Sequence, residues 1–314
     1  MASSQSKTIS LDELVLNENE LAFYQRQTGI QDKNKLKEHI IDIAQKALQV
    51  YPYHCIYTFG FLRSARKLDV TILIFLLIIL SRFRILRAES GYKQLLKLGS
   101  TRPNAFFLDL GCCFGNDLRK AIEDGFPARN VVASDLRADF WNFGHDLFHS
   151  NTSTFPVLFI PGNVLDSSFI SIQPPLQFEE SPSDFSSVSL ESLLSINSES
   201  QSLNPLRGYL SAIHTSAFFH LFDKDEQILI AKKLASLLSP LPGSVIFGSQ
   251  RGADEPQEGA RNSTGTLYYR HSPETWKEMW EKDVFGGKVD LIRVDAGLSL
   301  DEGREIIWWT VTRL

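Results

Sequence analysis

A short loop between two glycines is the first stretch of the chain whose residue types could do chemistry. The apolar run 106–110, which contains Asp109, leads into residues 111–115 (Gly-Cys-Cys-Phe-Gly) and then into a polar helix start. A strand, a tight turn and a helix in this order open a nucleotide-binding α/β unit. We expect Gly111 to leave the strand at dihedral angles that other residues resist, and Gly115 to let the backbone approach a ligand. A purely structural strand-turn-helix corner is the alternative.

The composition of this loop favours one kind of nucleotide ligand. Cys113 lies between the two glycines, where a dinucleotide-binding loop carries a further glycine against the pyrophosphate. The loop therefore favours a ligand with a small cationic or zwitterionic tail, such as S-adenosylmethionine (SAM). The sequence contains neither the Gly-x-x-x-x-Gly-Lys-Ser/Thr phosphate loop nor the Gly-x-Ser-x-Gly nucleophile elbow. Phosphoryl transfer and Ser-His-Asp hydrolysis are therefore disfavoured.

Polar side chains also follow the next two predicted strands. Asp135 ends the second strand, where a carboxylate can accept hydrogen bonds from both ribose hydroxyls of a bound nucleoside. Asn163, with Val164 beside it, follows the third strand, where an amide can face an adenine amino group. An exposed strand-end aspartate and a turn asparagine after Pro-Gly are the structural alternatives.

One histidine is a candidate for the reaction itself. His214 follows the fourth predicted strand, so it is expected near the transferred group, as a general base or as a group that orients a substrate oxygen. A hydrogen-bonded structural histidine is the alternative. His214 and His220 lack the spacing of a helical metal-binding pair, and no cysteine or carboxylate cluster joins them, so no metal site is expected.

The elements that must position these residues alternate from residue 105 onward. We predict strands over 105–110, 130–134, 157–160, 209–213, 244–248, 288–294 and 306–312, and helices over 116–124, 139–148, 224–238 and 273–280. The last two strands, joined by Asp295-Ala296-Gly297 and a short polar stretch, can pair as an antiparallel hairpin. A mostly parallel seven-stranded sheet with this terminal pair predicts the Rossmann-like α/β fold of class I methyltransferases.

The segment before the sheet is predicted to be helical. A capping-box pattern stands at residues 10–13, an amphipathic helix is expected over 32–50, and a short helix over 91–98. We therefore predict a helical lid region over 1–100 and a SAM-binding domain over 101–314. A serine-rich surface segment over about 171–204 interrupts that domain, with a short helix around 190–194.

Composition limits the partners and the compartment. The net charge is −5 with acids and bases mixed along the chain, so no nucleic-acid partner is expected. The three cysteines favour a reducing compartment, and the first residues lack an apolar signal-peptide region, so a cytoplasmic location is expected. The apolar run 70–80 is shorter than the roughly 20 residues that a membrane-spanning helix needs. Burial, a membrane-surface contact and a gene-model error are its alternative interpretations.

Several motifs resemble a known family. They lie at residues 27–30, 51–56, 108–120, 133–137, 144–148 and 218–222, and the string Cys-Cys-Phe-Gly-Asn-Asp at 112–117 is the most specific of them. On these residues the chain resembles a fungal family of class I SAM-dependent methyltransferases of secondary metabolism, which includes enzymes of meroterpenoid pathways that methylate a carboxyl group.

The resemblance implies a cofactor, an acceptor and a set of site residues. It implies SAM bound at Asp109, at Asp135 with Leu136, and at Asn163 with Val164, a small-molecule acceptor, and a homodimer. The family tends to carry an acid where Asn163 stands, and residues 69–89 look inserted. Methylation of a phenol or amine, and a non-catalytic or membrane-associated protein of the same fold, are the alternatives. Tyr24, Trp141 and Phe218 are expected to close the pocket over an apolar acceptor.

Overall fold

A single large sheet organises the chain. The computed structural model describes residues 14–63, 85–183, 185, 187–195, 201–261, 267–301 and 303–314. Its strands are β1 (Phe106–Leu110), β2 (Val131–Ser134), β3 (Leu158–Phe159), β4 (Leu210–His214), β5 (Val245–Arg251), β6 (Gln257–Arg261), β7 (Leu267–Arg270), β8 (Ile292–Asp301) and β9 (Arg304–Arg313). Seven of them form one sheet in the order β3-β2-β1-β4-β5-β9-β8, and β6 pairs with β7 separately.

The strand directions confirm the predicted fold class. Strands β1 to β5 pair in parallel, whereas β9 runs antiparallel to both β5 and β8. This mostly parallel sheet with an antiparallel terminal pair is the Rossmann-like arrangement expected from the sequence. From β1 the strand order runs outward to β2 and β3 on one side, and to β4 and β5 on the other. A crevice is expected where these two halves meet, at the carboxyl ends of β1 and β4.

Helices cover both faces of this sheet. They are α1 (Glu18–Thr28), α2 (Lys33–Val50), α3 (His54–Tyr57), α4 (Ile85–Thr101), α5 (Asn116–Glu123), α6 (Ala138–Leu147), α7 (Leu190–Ser195), α8 (Lys224–Leu237) and α9 (Pro273–Glu278), the last followed by a π-helical turn. On one face α4 and α5 pack with Phe107 and Phe247 of the sheet. On the other, α8 and Trp276 pack with Ile213 and Trp309.

The N-terminal helices form a third apolar cluster. Leu36 and Ile40 of α2 and Phe23 of α1 pack with Phe114 and Phe140, so this region rests on α6 and on the loop after β1. The predicted helix over 32–50 is confirmed, and helix α1, which begins at Glu18, lies in the segment predicted to be helical. Residues 10–13 and 70–80 lie outside the described residues. Because α4, which ends at Thr101, already packs on the sheet, the domain boundary at residue 100 stays a proposal.

The predicted turn of the terminal hairpin is wrong. Asp295, Ala296 and Gly297 lie inside β8, and the chain reverses instead between Asp301 and Arg304. Gly297 is needed for packing, because a side chain there would overlap the indole of Trp308 on the neighbouring strand. The serine-rich segment contains the predicted short helix α7, whose buried Leu190 and Leu193 pack into the main core.

A buried histidine should make stability depend on pH. His271 is 1% exposed, and burial, followed by the charge of Lys224, lowers its pKa from 6.5 to about 3. His271 therefore takes up a proton near pH 6.5 in the unfolded chain but only near pH 3 in the native state. Its contribution to the free energy of unfolding is complete above pH 6.5 and is lost as the pH falls toward 3.

We expect the free energy of unfolding to fall by about 2 kcal/mol between pH 7.5 and pH 5 through this residue. Urea unfolding of the wild type and of His271→Gln at both pH values measures it, with His39→Gln as the control for loss of an imidazole elsewhere. A His271→Gln variant that retained the whole wild-type pH dependence would contradict this prediction.

Candidate cofactor-binding site

The loop after β1 has the backbone conformation that the two glycines allow. Gly111 and Gly115 have φ angles of +72° and +75°, and the Gly111 N–H donates to the carbonyl oxygen of Ser134 at 2.8 Å. Cys113 also lies in the left-handed region, at φ +50°, although it carries a side chain. A strained non-glycine residue of this kind persists only where its surroundings hold it, and such residues cluster at functional sites.

The carboxylate of Asp135 holds that strained residue. Its Oδ2 accepts the Cys113 N–H at 2.9 Å, and its Oδ1 accepts the Arg137 N–H at 3.1 Å. Burial raises the pKa of Asp135, the two backbone hydrogen bonds oppose this, and the charge of Asp109 adds to it. The structure thus brings the two predicted strand-end carboxylates to one place, and Asp135 fixes the shape of the loop between them.

Asp109 is buried beside His214. Its Oδ1 lies 2.8 Å from His214 Nδ1, and the other ring nitrogen, Nε2, lies 2.9 Å from the Ser216 hydroxyl. A carboxylate accepts hydrogen bonds, so Nδ1 is the donor to Asp109, while Nε2 shares a hydrogen bond with the Ser216 hydroxyl. Both nitrogens of His214, which is 5% exposed, are therefore already engaged. This geometry favours a positioning role for His214, and the catalytic role stays a prediction.

The second oxygen of Asp109 is what suits the site to SAM. Asp109 Oδ2 is buried without a hydrogen-bond partner in the described part of the chain. A buried acceptor of this kind is costly unless a donor reaches it, and the ammonium of an amino-acid tail is a suitable donor. With Asp135 nearby, the two carboxylates favour a ligand that carries positive charge. The residues present therefore fit SAM.

Glycines also let α6 approach the loop. A Cβ on Gly115 would lie 2.9 Å from the Trp141 ring, and one on Gly111 would lie 2.7 Å from the Phe218 ring. Gly115 thus makes room for a neighbouring ring, in addition to its unusual φ. A Cβ on Gly144 of α6 would overlap the carbonyl oxygen of Phe114, in the loop itself.

Gly144→Ala is therefore expected to destabilise the protein by about 1–3 kcal/mol, because backbone must move to admit the methyl group. Urea unfolding measures this, and Asn142→Ala, an exposed change on the same helix, is the matched control. Equal stability of the two variants would contradict the close approach of α6 to the loop.

The predicted adenine-side residues lie in different environments. The Leu136 side chain is 56% exposed directly after Asp135, as a residue that covers a bound base would be. Asn163 is exposed, and its Oδ1 accepts the Leu165 N–H at 3.0 Å in a turn. Val164 is buried in the main core, and its carbonyl accepts from Lys233 Nζ at 2.8 Å. The segment that carries Asn163 lies beside the site, because the Gly162 N–H donates to the Asp135 carbonyl at 3.0 Å. Contact of Asn163 and Val164 with a cofactor stays a prediction.

The sequence interpretation missed residues from the N-terminal region. Burial raises the pKa of Tyr53 to about 12 and that of Cys55 to about 11, and in both the charge of Asp135 adds to the rise. The segment 51–56 resembles the family, but nothing in its sequence indicates a place beside Asp135. Burial also raises the pKa of Cys112 and Cys113 well above the usual range, so these thiols stay protonated and are poor nucleophiles.

Of the three aromatic residues expected to line the pocket, Phe218 alone is partly exposed beside the loop 111–115. Tyr24 is fully buried and stacks on Phe148 with ring centroids 5.8 Å apart. Trp141 is 5% exposed and stacks on Phe159 at 5.1 Å. Phe218 is partly buried beside Gly111. The first two rings therefore stabilise the packing of α1 and α6, and Phe218 stays the candidate for the pocket wall.

The sheet topology defines the class I methyltransferase architecture, and comparison with known proteins shows which proteins the chain is similar to. Residues 9–62 match the family described as "Meroterpenoid methyltransferase N-terminal domain". An "O-methyltransferase phiE" of a fungal species is 29% identical over 78% of this chain and 64% of its own length. The "Asnovolin E/Chermesin D methyltransferase nvfJ" of Aspergillus novofumigatus is 27% identical over 85% of this chain and 73% of its own.

The predicted resemblance is therefore confirmed: the chain is similar to fungal methyltransferases over most of its length. It spans 64% of the length of the first of these relatives. A solved structure of a Burkholderia thailandensis 1,6-didemethyltoxoflavin-N1-methyltransferase is also similar, at 15% identity and a TM-score of 0.44, covering 73% of this chain and 80% of that one. No helix among the described residues is long and apolar enough to cross a membrane. The homodimer and the cytoplasmic location stay predictions.

Proposed function

We propose that the protein is a SAM-dependent methyltransferase that methylates the carboxyl group of a small secondary metabolite, a meroterpenoid or polyketide-derived intermediate. The observation that carries the proposal is the pair of strand-end carboxylates, Asp109 and Asp135, on either side of a strained loop. One oxygen of Asp109 is left for a donor from the ligand. The methyltransferase names of the relatives support the same reaction class.

The chain's own residues mainly bind and align the reactants. SAM carries its methyl group on a sulfonium, already activated for transfer. Asp135 would accept from the ribose, Asp109 from the amino-acid tail, and the loop 111–115 would hold the nucleoside at the carboxyl edge of the sheet. Alignment of nucleophile, carbon and sulfur, with water excluded, then lowers the barrier.

The two hydrogen bonds of the His214 ring support a carboxyl acceptor. A carboxylate is ionised at neutral pH and needs no general base, whereas a phenol benefits from one. Since Asp109 and Ser216 engage both ring nitrogens, His214 is poorly placed to take a proton from an acceptor. This favours carboxyl O-methylation over methylation of a phenol.

The experiment is transfer of radiolabelled methyl from SAM to an extract of the producing organism, followed by mild alkaline hydrolysis of the labelled product. We expect base-labile label, because an ester is cleaved under these conditions. Base-stable label would rule out the carboxyl group and favour a phenol or amine. Absence of both SAM binding and transfer would leave the non-catalytic alternative.

A further inference from the structure

Three arginines gather where the small β6–β7 hairpin meets the main sheet. Arg251 ends β5, Arg304 begins β9 and Arg270 ends β7. The two residues after Arg251 form backbone hydrogen bonds with β9 and with the residue that follows β7. The Gly252 N–H donates to the carbonyl of Glu305, and the Ala253 N–H donates to the carbonyl of His271, each at 3.1 Å. Arg251 therefore lies between the other two arginines.

The sheet places two of these side chains on one face. Arg251 is in register with Ile306, and Arg304 lies two residues before Ile306 on the same strand. Because side chains two residues apart share a face of a strand, Arg251 and Arg304 project from the same side. Both arginines are close enough to His54 of α3 that their charges, after burial, lower its pKa.

Among the described residues, no acid forms an ion pair with this cluster. Arg270 donates to neutral partners, the Gln257 Oε1 at 3.3 Å and the Tyr268 hydroxyl at 2.9 Å, and its Nε is buried without a partner. The ion pairs of the described residues include none of the three arginines, although Asp301 is the cross-strand neighbour of Arg304. Like charges held together repel one another, and an anion would relieve this.

The cluster lies at the edge of the sheet that carries the cofactor site. On β5, Phe247 is in register with His214 of β4, and Arg251 lies four residues further along toward the carboxyl edge. Helix α3 also reaches toward the cofactor site, because Tyr53, which precedes His54, packs on Phe140 of α6 with ring centroids 5.4 Å apart. Ligands of such sheets bind outside the carboxyl ends of the strands.

We propose that Arg251, Arg304 and Arg270 bind the carboxylate of the methyl acceptor; this rests on the proposed methyltransferase function. A guanidinium forms two parallel hydrogen bonds with a carboxylate, which selects it over a neutral group. In the reaction, one carboxylate oxygen attacks the methyl carbon and forms the C–O bond. The C–S bond breaks, its electron pair stays on sulfur, and no proton is released.

Methyl transfer removes the charge by which the arginines hold the acceptor. The anionic acceptor and the cationic sulfonium become a neutral ester and a neutral thioether. The ester can no longer pair with the arginines, so the product is bound more weakly than the acceptor. The cluster therefore binds the charged acceptor, and it releases the product because methylation removes that charge.

The test is calorimetric titration of the protein, saturated with S-adenosylhomocysteine, with two terpenoid acids and their methyl esters. The probes are mycophenolic acid and abietic acid, with inorganic phosphate as a further anion. We expect at least one acid to bind about tenfold or more tightly than its ester. Arg251→Gln and Arg304→Gln should each reduce that preference about tenfold, whereas Arg251→Lys should retain part of it.

Arg293→Gln is the matched control, because Arg293 is an exposed arginine paired with Asp295 on β8. It should keep the wild-type preference. Equal affinity for acid and ester, an unchanged preference in Arg251→Gln and Arg304→Gln, no binding of either acid, or tighter binding of phosphate than of both acids would overturn the proposal. S-adenosylhomocysteine binding is measured first on every variant, so loss of the cofactor site is distinguished from loss of acceptor recognition.

Discussion

Asp135→Asn is expected to weaken SAM binding by about 30- to 1,000-fold, because it removes charge-assisted hydrogen bonds worth about 2–4 kcal/mol in total. The carboxylate has two oxygens, each of which already accepts one backbone N–H and retains a further acceptor position for a ribose hydroxyl. An amide retains only one accepting oxygen. The change also loosens the hold on Cys113, whose φ of +50° depends on its surroundings.

Equilibrium dialysis with radiolabelled SAM measures this effect. Asp139→Asn is the matched control: the same change of charge, on an exposed residue in the first turn of α6. It should bind SAM as the wild type does. Similar affinities for the two variants would show that Asp135 does not contact the ribose.

Asp109→Ala is expected to reduce the free energy of unfolding by about 3 kcal/mol, because removing one partner of a buried pair leaves the other unsatisfied. Asp109 and His214 are 2% and 5% exposed, so water cannot readily replace the missing carboxylate. His214→Ala should cost at least as much, since it leaves the buried Asp109 carboxylate without its hydrogen-bond donor.

A double-mutant cycle by urea unfolding isolates the interaction. Asp109→Ala and His214→Ala should show a coupling energy of about 1–3 kcal/mol, whereas exposed Asp283→Ala should change stability by less than about 0.5 kcal/mol. Purely additive effects of the two buried substitutions would contradict the pairing on which the positioning role of His214 rests.

Much of this site could be predicted because strand ends can be recognised from local pattern. The apolar run before Asp109 and the shorter one before Asp135 fixed where β1 and β2 end, and parallel strands bring such ends to one edge. The positive φ of Gly111 followed from the need to leave the strand tightly. These features depend on neighbours in the sequence.

The features that were missed depend on distant contacts. Tyr53 and Cys55 come close to Asp135 only because α2 packs on α6 and α3 packs on α2, which no local periodicity indicates. Gly297 was assigned to a turn because glycine favours turns, but the ring of Trp308 on another strand is what requires it. The polar strands β6 and β7 carry little apolar alternation, so the hairpin that supplies Arg270 was not predicted.

A crystal structure of the protein with bound S-adenosylhomocysteine tests the central claim most directly. We predict the ribose hydroxyls at hydrogen-bonding distance from Asp135, the amino-acid tail beside Asp109 and the adenine next to Leu136. A nucleoside bound elsewhere in the molecule, or density for none at saturating concentration, would contradict the account.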